Sequence, residues 1–170
     1  EQHLKDMQEG LKKWRQNKLL KENTVLSVLS LPDKLFYPVG VHTCALIIRK
    51  GVPHPTNQKV FWAKCNEDGY LTKKGKRLKD ANVTNNFETI EDKLKLFILN
   101  PNTKIENVPE FLKAQEIDLK DNLLELVPEA YLDQKIPTKQ EIMTGIDELV
   151  REAAAFLIRS KNETQFNDKN

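Results

Sequence analysis

The sequence predicts an α/β fold, and three observations support this prediction. Apolar side chains recur at helical spacing over residues 2–22, two runs of strand length at 25–31 and 41–49 are largely apolar, and helical spacing returns at 138–159. The chain has 170 residues, of which 39% are hydrophobic and 31% charged, so it fits one medium-sized globular domain with its own core.

The composition disfavours secreted and membrane proteins. No apolar run is long enough to span a bilayer, and no basic-then-apolar segment has the pattern of a secretion signal. Two cysteines, Cys44 and Cys65, are too few for a disulfide scaffold in a chain of this length. We therefore expect reduced thiols, a cytoplasmic location and no membrane partner.

The first two predicted strands flank an aromatic loop. The run at 25–31 stops at a Pro-Asp pair, and the loop that follows contains Phe36 and Tyr37. The second run, 41–49, stops before glycine and proline. Because both runs are apolar, we expect buried strands, with Cys44 as a small core residue.

A β-hairpin is predicted in the next part of the chain. Residues 59–65 alternate as a strand does, residues 66–69 are an Asn-Glu-Asp-Gly turn signal, and residues 70–72 begin the return strand. A basic run at 73–77 follows that strand.

A second helix and two short extended segments are predicted after the hairpin. Helical spacing of apolar residues covers 87–99, with Asn86 near the N-cap. Residues 111–118 and 123–127 are predicted to be extended.

The last predicted element is a long helix with a clear start signal. Thr138 and Glu141 have the spacing of a capping box, and apolar residues then line one side. This helix fits either packing in the core or docking of a partner. The polar residues at 163–170 predict a disordered tail.

Positive charge is concentrated in one segment. Residues 49–79 contain nine Lys or Arg and two acidic residues, a local charge of +7 in a chain of net charge +2. Such a block predicts an anionic partner on one face. The seven basic candidates are Arg49, Lys50, Lys73, Lys74, Lys76, Arg77 and Lys79.

Four segments early in the chain follow one another in a specific order. They are a helix end at 18–23, a strand ending in Leu-Pro at 29–32, the aromatic loop at 35–37 and a Gly-x-x-Thr-Cys strand start at 39–44. This order resembles the N6-adenine DNA methyltransferases that serve as modification subunits of type I restriction systems, and their fused relatives. Residues 61–70 and 126–132 continue the resemblance.

The resemblance implies the C-terminal part of a Rossmann-like methyltransferase sheet, with an added β-hairpin and a long C-terminal helix. It also implies S-adenosylmethionine as methyl donor and a flipped-out adenine as substrate. The sequence contains neither the glycine-rich turn for this cofactor nor the family's Asn/Asp-Pro-Pro-Tyr/Phe tetrapeptide. We therefore expect a fragment with no catalytic residue and no bound cofactor, inactive apart from its full-length parent.

The resemblance and the elements together predict how the chain is divided. The predicted parts are 1–52 as the last helix and strands of the catalytic domain, 53–86 as a basic hairpin and loop, 87–136 as a helix with short extended segments, 137–162 as an interaction helix, and 163–170 as the tail.

The resemblance also implies which residues face DNA. Phe36, Tyr37, His42 and Thr43 are candidates for the target-base pocket, since aromatic faces hold an extruded base. The seven basic candidates would contact phosphates. The plainer interpretations are core or turn aromatics and a solvated lysine-rich loop.

Two metal-dependent alternatives are disfavoured, and we expect no metal site. Four residues of zinc-ligand type are His42, Cys44, His54 and Cys65, but the first two alternate along a strand with only one residue between them, unlike usual ligand pairs. A nuclease-like set occurs at Glu116, Asp118 and Lys120, a pattern that exposed edge strands also show.

The expected partners are DNA, a specificity subunit or domain and, as a further candidate, a restriction subunit. An exposed strand edge predicts self-association of the isolated chain. The alternative function is a non-catalytic DNA-binding or protein-interaction module that reuses this half-fold. Binding of the methyl donor by the full-length parent would favour the methyltransferase, and its failure would favour the non-catalytic module.

Overall fold

The structure is a computed structural model that describes residues 2–73, 75–108, 110–133 and 136–167, with side chains up to residue 157. The chain forms two units, Glu1–Gln134 and Lys135–Asn170. No helix among these described residues has the length and apolar content needed to cross a bilayer.

The predicted first helix is present as two consecutive helical segments. Helix α1 (Gln2–Trp14) runs into a π-helical segment, Arg15–Leu20, which leads to strand β1 (Asn23–Leu31). The further elements are β2 (Thr43–Lys50), β3 (Lys59–Lys64), β4 (Tyr70–Lys73), β5 (Lys76–Lys79), α2 (Asn86–Leu99), β6 (Leu112–Glu116), a 3-10 turn (Pro128–Ala130) and α3 (Lys139–Asn167).

Four strands form one mixed sheet in the order β2-β1-β3-β6. Strand β1 pairs antiparallel with β2 and parallel with β3, and β6 pairs antiparallel with the other edge of β3. The predicted α/β class is therefore confirmed, and the runs at 25–31 and 41–49 do share one sheet. A mixed sheet with helices is compatible with part of a methyltransferase fold.

The β-hairpin is formed by different strands from those predicted. Strand β3 lies between β1 and β6, and the hairpin consists of β4 and β5, with Gly75 in the turn at φ +74°. The predicted pairing of 59–65 with 70–72 was wrong. The central residues of β3 are buried on both faces, which places that strand inside the larger sheet rather than in a solvated hairpin.

The core occupies both faces of the sheet because successive side chains of a strand point to opposite sides. On one face, Trp62 of β3 stacks on Tyr131 with ring centroids 3.7 Å apart and planes 6° apart. On the other face, Phe61 contacts Phe97 of α2 with ring centroids 5.7 Å apart. The inner strands are thus covered on both sides.

Strand β2 lies at the edge of the sheet, and only one of its faces is covered. Ala45 and Ile47 pack against the core cluster that contains Phe61, whereas Cys44, Leu46 and Ile48 on the opposite face are exposed. The prediction that Cys44 is a core residue was therefore wrong. An apolar run does not reveal whether its strand is central or at an edge.

Residues 123–127 contain no strand, contrary to the sequence prediction. The Asp121 carboxylate accepts hydrogen bonds from the backbone N–H of Leu123 at 3.1 Å and of Glu125 at 2.7 Å. Leu124 between them is buried with a φ of 49°. Local side-chain bonds of this kind replace strand pairing.

The helix starts agree closely with the capping signals. Asn85, one residue before the predicted cap, accepts from the Phe87 N–H at 3.1 Å at the start of α2. In the second unit, the Thr138 hydroxyl accepts from the Glu141 N–H at 3.2 Å, and the Thr138 N–H donates to the Glu141 carboxylate at 2.8 Å. Helix α3 includes residues 163–167 of the predicted tail, and 168–170 lie outside the described residues.

Candidate nucleic-acid interface

A cleft of about 780 Å³ opens at the carboxyl ends of the parallel strands β1 and β3. Ser30 at the end of β1 lies beside Lys64 at the end of β3, and both line the cleft. Open α/β sheets bind their ligands at this end of their strands. The cleft is also lined by His42, Thr43, Asp68, Tyr70, Arg77 and Glu129, among others.

Two of the four predicted target-base residues, His42 and Thr43, line this cleft. His42 is exposed, and its Nδ1 lies 2.8 Å from a carboxylate oxygen of Asp33. The Thr43 hydroxyl oxygen is buried and has no hydrogen-bond partner. A buried hydroxyl without a partner costs free energy, so a ligand atom in the cleft that bonds to Thr43 would recover that cost.

The other two predicted pocket residues, Phe36 and Tyr37, are not among the lining residues. Phe36 is 53% exposed. The Tyr37 hydroxyl lies beside the hairpin turn, 3.7 Å from where a Cβ on Gly75 would be. The aromatic side chain that the structure brings to the cleft is Tyr70, which the sequence analysis missed because it mispredicted the hairpin.

The basic block is divided between the two ends of the sheet. Because β2 is antiparallel to β1, Arg49 and Lys50 lie beside Thr24 and Asn23, at the end remote from the cleft. Along β2 they are about 20 Å from Thr43. The +7 counted along the chain is therefore not one continuous surface.

Three hairpin lysines, Lys73, Lys76 and Lys79, are exposed. Lys73 and Lys76 lie directly opposite each other across the β4–β5 ladder. The predicted candidate Lys74 lies outside the described residues. The exposed lysines share their hairpin with Tyr70, so positive charge adjoins the cleft.

Arg77 differs from these lysines because its guanidinium already has protein partners. It donates to the Lys34 carbonyl oxygen at 2.7 Å and to the Asp68 carboxylate. Its central carbon lies 5.1 Å from the centroid of the Tyr70 ring. These contacts tie the hairpin to the loop after β1 and occupy two of the five N–H donors of the Arg77 guanidinium.

A polar network at the cleft floor also escaped the sequence analysis. The Ser30 hydroxyl donates to Glu129 at 2.8 Å, and the Lys64 ammonium lies 3.5 Å from the same carboxylate. The Ser30 oxygen is also 3.5 Å from the Cys44 sulfur. Because Glu129 is 99 residues from Ser30 in sequence, no local pattern signals this contact.

The four residues of zinc-ligand type are not brought together. His54 lies at the amino end of β1, where its Nδ1 accepts from the Val25 N–H at 3.2 Å, while His42 and Cys44 are at the other end. Burial, and then the Asp68 carboxylate, raise the pKa of Cys65 to about 12, so its thiol is protonated at neutral pH. Within the described ranges, no three or more His, Cys, Asp or Glu side chains group as metal ligands do.

Comparison with known proteins gives the class of protein to which this arrangement belongs. The family model described as N-6 DNA Methylase matches residues 7–140, and the chain belongs to that family. The chain is similar to the type II restriction enzyme and methyltransferase RM.BcgI of Heyndrickxia coagulans, with 34% identity over 62 residues. The matched segment covers 36% of this chain and 10% of that relative.

The expected N6-adenine methyltransferase family is thereby confirmed, and this relative is a type II enzyme rather than a type I modification subunit. The described residues do not fit a site for the methyl donor of such enzymes. A cofactor cradle needs glycines where a strand turns into a helix. Gly69 and Gly75 belong to the hairpin region, and Gly10, Gly40, Gly51 and Gly145 have open space around them.

Proposed function

We propose that this chain is the DNA-contacting part of an adenine-N6 DNA methyltransferase of a restriction-modification system. The observation that carries the proposal is the family match over 7–140, which includes both the cleft and the basic hairpin. The full-length parent would transfer a methyl group from S-adenosylmethionine to adenine in the cytoplasm. The chain alone would be inactive because its described residues do not fit the cofactor.

In this proposal, the lysines of the β4–β5 hairpin contact DNA phosphates. Lys73 and Lys76 are directly opposite each other, and like charges in that position destabilise a hairpin. An anionic partner removes this repulsion, which supports phosphate binding at the hairpin. Lys79 lies opposite Tyr70 and extends the same charge towards the cleft.

The test is the salt dependence of DNA binding, with a matched pair of double variants. Lys73→Ala with Lys76→Ala removes two charges from the hairpin, and the slope of log K against log salt concentration should fall by about 2. Arg49→Ala with Lys50→Ala removes the same charge from the opposite end of the sheet. It should leave the slope unchanged, and a loss only in this control would contradict the proposal.

Titration calorimetry with S-adenosylmethionine tests the inactivity of the chain alone. We expect no heat of binding, because the described residues lack a glycine cradle at a strand end. Measurable binding would show that this chain does contain the cofactor site.

Methyl transfer by the full-length parent would exclude the alternative of a non-catalytic DNA-binding or interaction module.

We also propose that α3 docks a specificity subunit or domain, with a restriction subunit as a further partner. Its exposed apolar residues Ile142, Ile146 and Leu149 recur at helical spacing, as in helices that bind in a groove. Ile146→Glu with Leu149→Glu should abolish co-purification with the specificity subunit without reducing helix content. Retained co-purification would exclude this docking surface.

The free edge of β2 supports self-association of the isolated chain. Leu46 and Ile48 are exposed on an edge strand, a combination that favours pairing with another strand. Sedimentation velocity should show a concentration-dependent dimer. A monomer at all concentrations would contradict this part of the proposal.

A further inference from the structure

We infer that Tyr70 is the aromatic platform on which a nucleobase stacks in the cleft, and that the Asp68–Arg77 pair holds this platform in place. The inference rests on the proposed function and deepens it. It assigns base contact to a side chain of the hairpin, and not to Phe36 or Tyr37 of the loop after β1.

The Tyr70 ring lies at the cleft with part of its surface open. Tyr70 lines the cleft and is 46% exposed, although it stands beside a partly buried ion pair. The Arg77 guanidinium covers one face of the ring at 5.1 Å from its centroid. The exposed remainder of the ring is therefore available to a planar ligand in the cleft.

Contacts with Asp68 and Arg77 hold Tyr70 in place. One Asp68 carboxylate oxygen accepts from the Tyr70 N–H at 3.3 Å, and the other accepts from Arg77. The Asp68 and Arg77 side chains are only 8% and 17% exposed. The pair is partly buried, and its ionic hydrogen bond holds the Arg77 guanidinium over the ring. We therefore assign Asp68 and Arg77 as positioning residues.

The charge of the cleft also favours a base over a phosphate. The numbers of acidic and basic side chains that line the cleft are nearly equal. The acidic ones are Asp33, Glu67, Asp68 and Glu129, and the basic ones are Lys34, Lys64 and Arg77. Two of these pairs, Asp68 with Arg77 and Lys64 with Glu129, neutralise each other directly. Such a cleft suits an uncharged base rather than a phosphate.

The test compares two single-stranded oligonucleotides of equal length and charge, an oligodeoxyadenylate and a fully abasic strand. Binding of the full chain to each is measured by fluorescence anisotropy. The wild-type chain should bind the adenine strand about 5- to 100-fold more tightly than the abasic strand. Tyr70→Ala should bring this ratio close to one, and Tyr70→Phe should keep it within about twofold of wild type.

The positioning role is tested with Asp68→Asn and Arg77→Lys, which keep the size or the charge of the side chain. Both should lower the adenine-to-abasic ratio and leave the salt dependence of abasic-strand binding unchanged. A merely structural role would alter binding of both strands equally. If Asp68→Asn does not fold, Arg77→Lys carries the test, since lysine retains the charge but loses the planar guanidinium.

Phe36→Ala is the matched aromatic control and should keep the wild-type ratio. A ratio that survives Tyr70→Ala but falls in Phe36→Ala would overturn this inference and leave the proposed function intact. Failure of the wild-type chain to bind either strand would overturn both this inference and the proposed DNA contact.

Discussion

His54 shows how burial sets the charge of a single residue. The ring Nδ1 accepts a hydrogen bond from the Val25 N–H, which requires the neutral ring. The backbone N–H of His54 donates to the Leu20 carbonyl oxygen at 2.8 Å. Burial lowers the pKa of His54 below its ordinary value of 6.5. The unfolded chain therefore takes up this proton more readily, and the stability that neutral His54 provides is present above about pH 6.5 and is lost below it.

His54→Asn tests this dependence, because an amide oxygen can accept the Val25 hydrogen bond without titrating. From pH 7 to pH 5, the free energy of unfolding of the wild-type chain should decrease more steeply than that of the variant. The difference should be at most about 1.4 kcal/mol per pH unit. Urea unfolding at each pH measures it, and parallel curves would show that His54 is not responsible.

Tyr131 combines a stacking surface with two hydrogen bonds. Its hydroxyl donates to the Glu125 carbonyl at 3.0 Å and accepts from the Asp118 N–H at 3.3 Å, while its ring stacks on Trp62. Tyr131→Phe should cost about 1–3 kcal/mol, because it leaves two backbone groups without this partner. Tyr131→Ala also removes the stack and should cost about 3–5 kcal/mol in urea unfolding. Equal losses in the two variants would contradict this division.

Single residues of the candidate site were predictable only where a motif contained them. His42 and Thr43 lie in a Gly-x-x-Thr-Cys segment, and both line the cleft. The Ser30–Glu129 contact joins residues far apart in sequence, and Tyr70 reaches the cleft only through the pairing of β4 with β5. No local signal carries either of these facts.

At the level of elements, the hairpin depends on one backbone position. Gly75 has a φ of +74°, where a Cβ is strained by about 1–2 kcal/mol although it would meet nothing closer than the Tyr37 hydroxyl at 3.7 Å. Gly75→Ala should therefore accelerate hydrogen–deuterium exchange of the amides in β4 and β5. Exchange in β1 and β3 should not change, and faster exchange there would show that the hairpin is not a separate element.

Local periodicity predicted the elements better than it predicted their pairing. The helix at 2–22, the strands at 25–31 and 41–49 and the helix at 87–99 are present, since amphipathic spacing and caps are local. The partner of β3 was mispredicted because a turn signal at 66–69 favours a hairpin whether or not the preceding strand is already paired elsewhere. The strands that pair with β3 are β1 and β6, and each pairing closes a loop of many residues, which no local turn signal reveals.

On the scale of the whole sheet, strand direction decides which charges act together. Arg49 and Lys50 lie at the end of the sheet where β2 finishes, whereas the hairpin with Lys73 and Lys76 adjoins the cleft at the opposite end. A charge count along 49–79 joins these groups, but the antiparallel pairing of β1 and β2 separates them. We therefore expect DNA to bind at one end of the sheet only, the end with the cleft and the hairpin.

Hydrogen–deuterium exchange of the chain with and without DNA tests this central claim most directly. We expect slower exchange on DNA binding at residues 69–79 and 42–44, which contain the hairpin and one wall of the cleft. Residues 49–54 at the opposite end should exchange at the same rate in both states. Protection of 49–54 with no change in the hairpin would contradict the account.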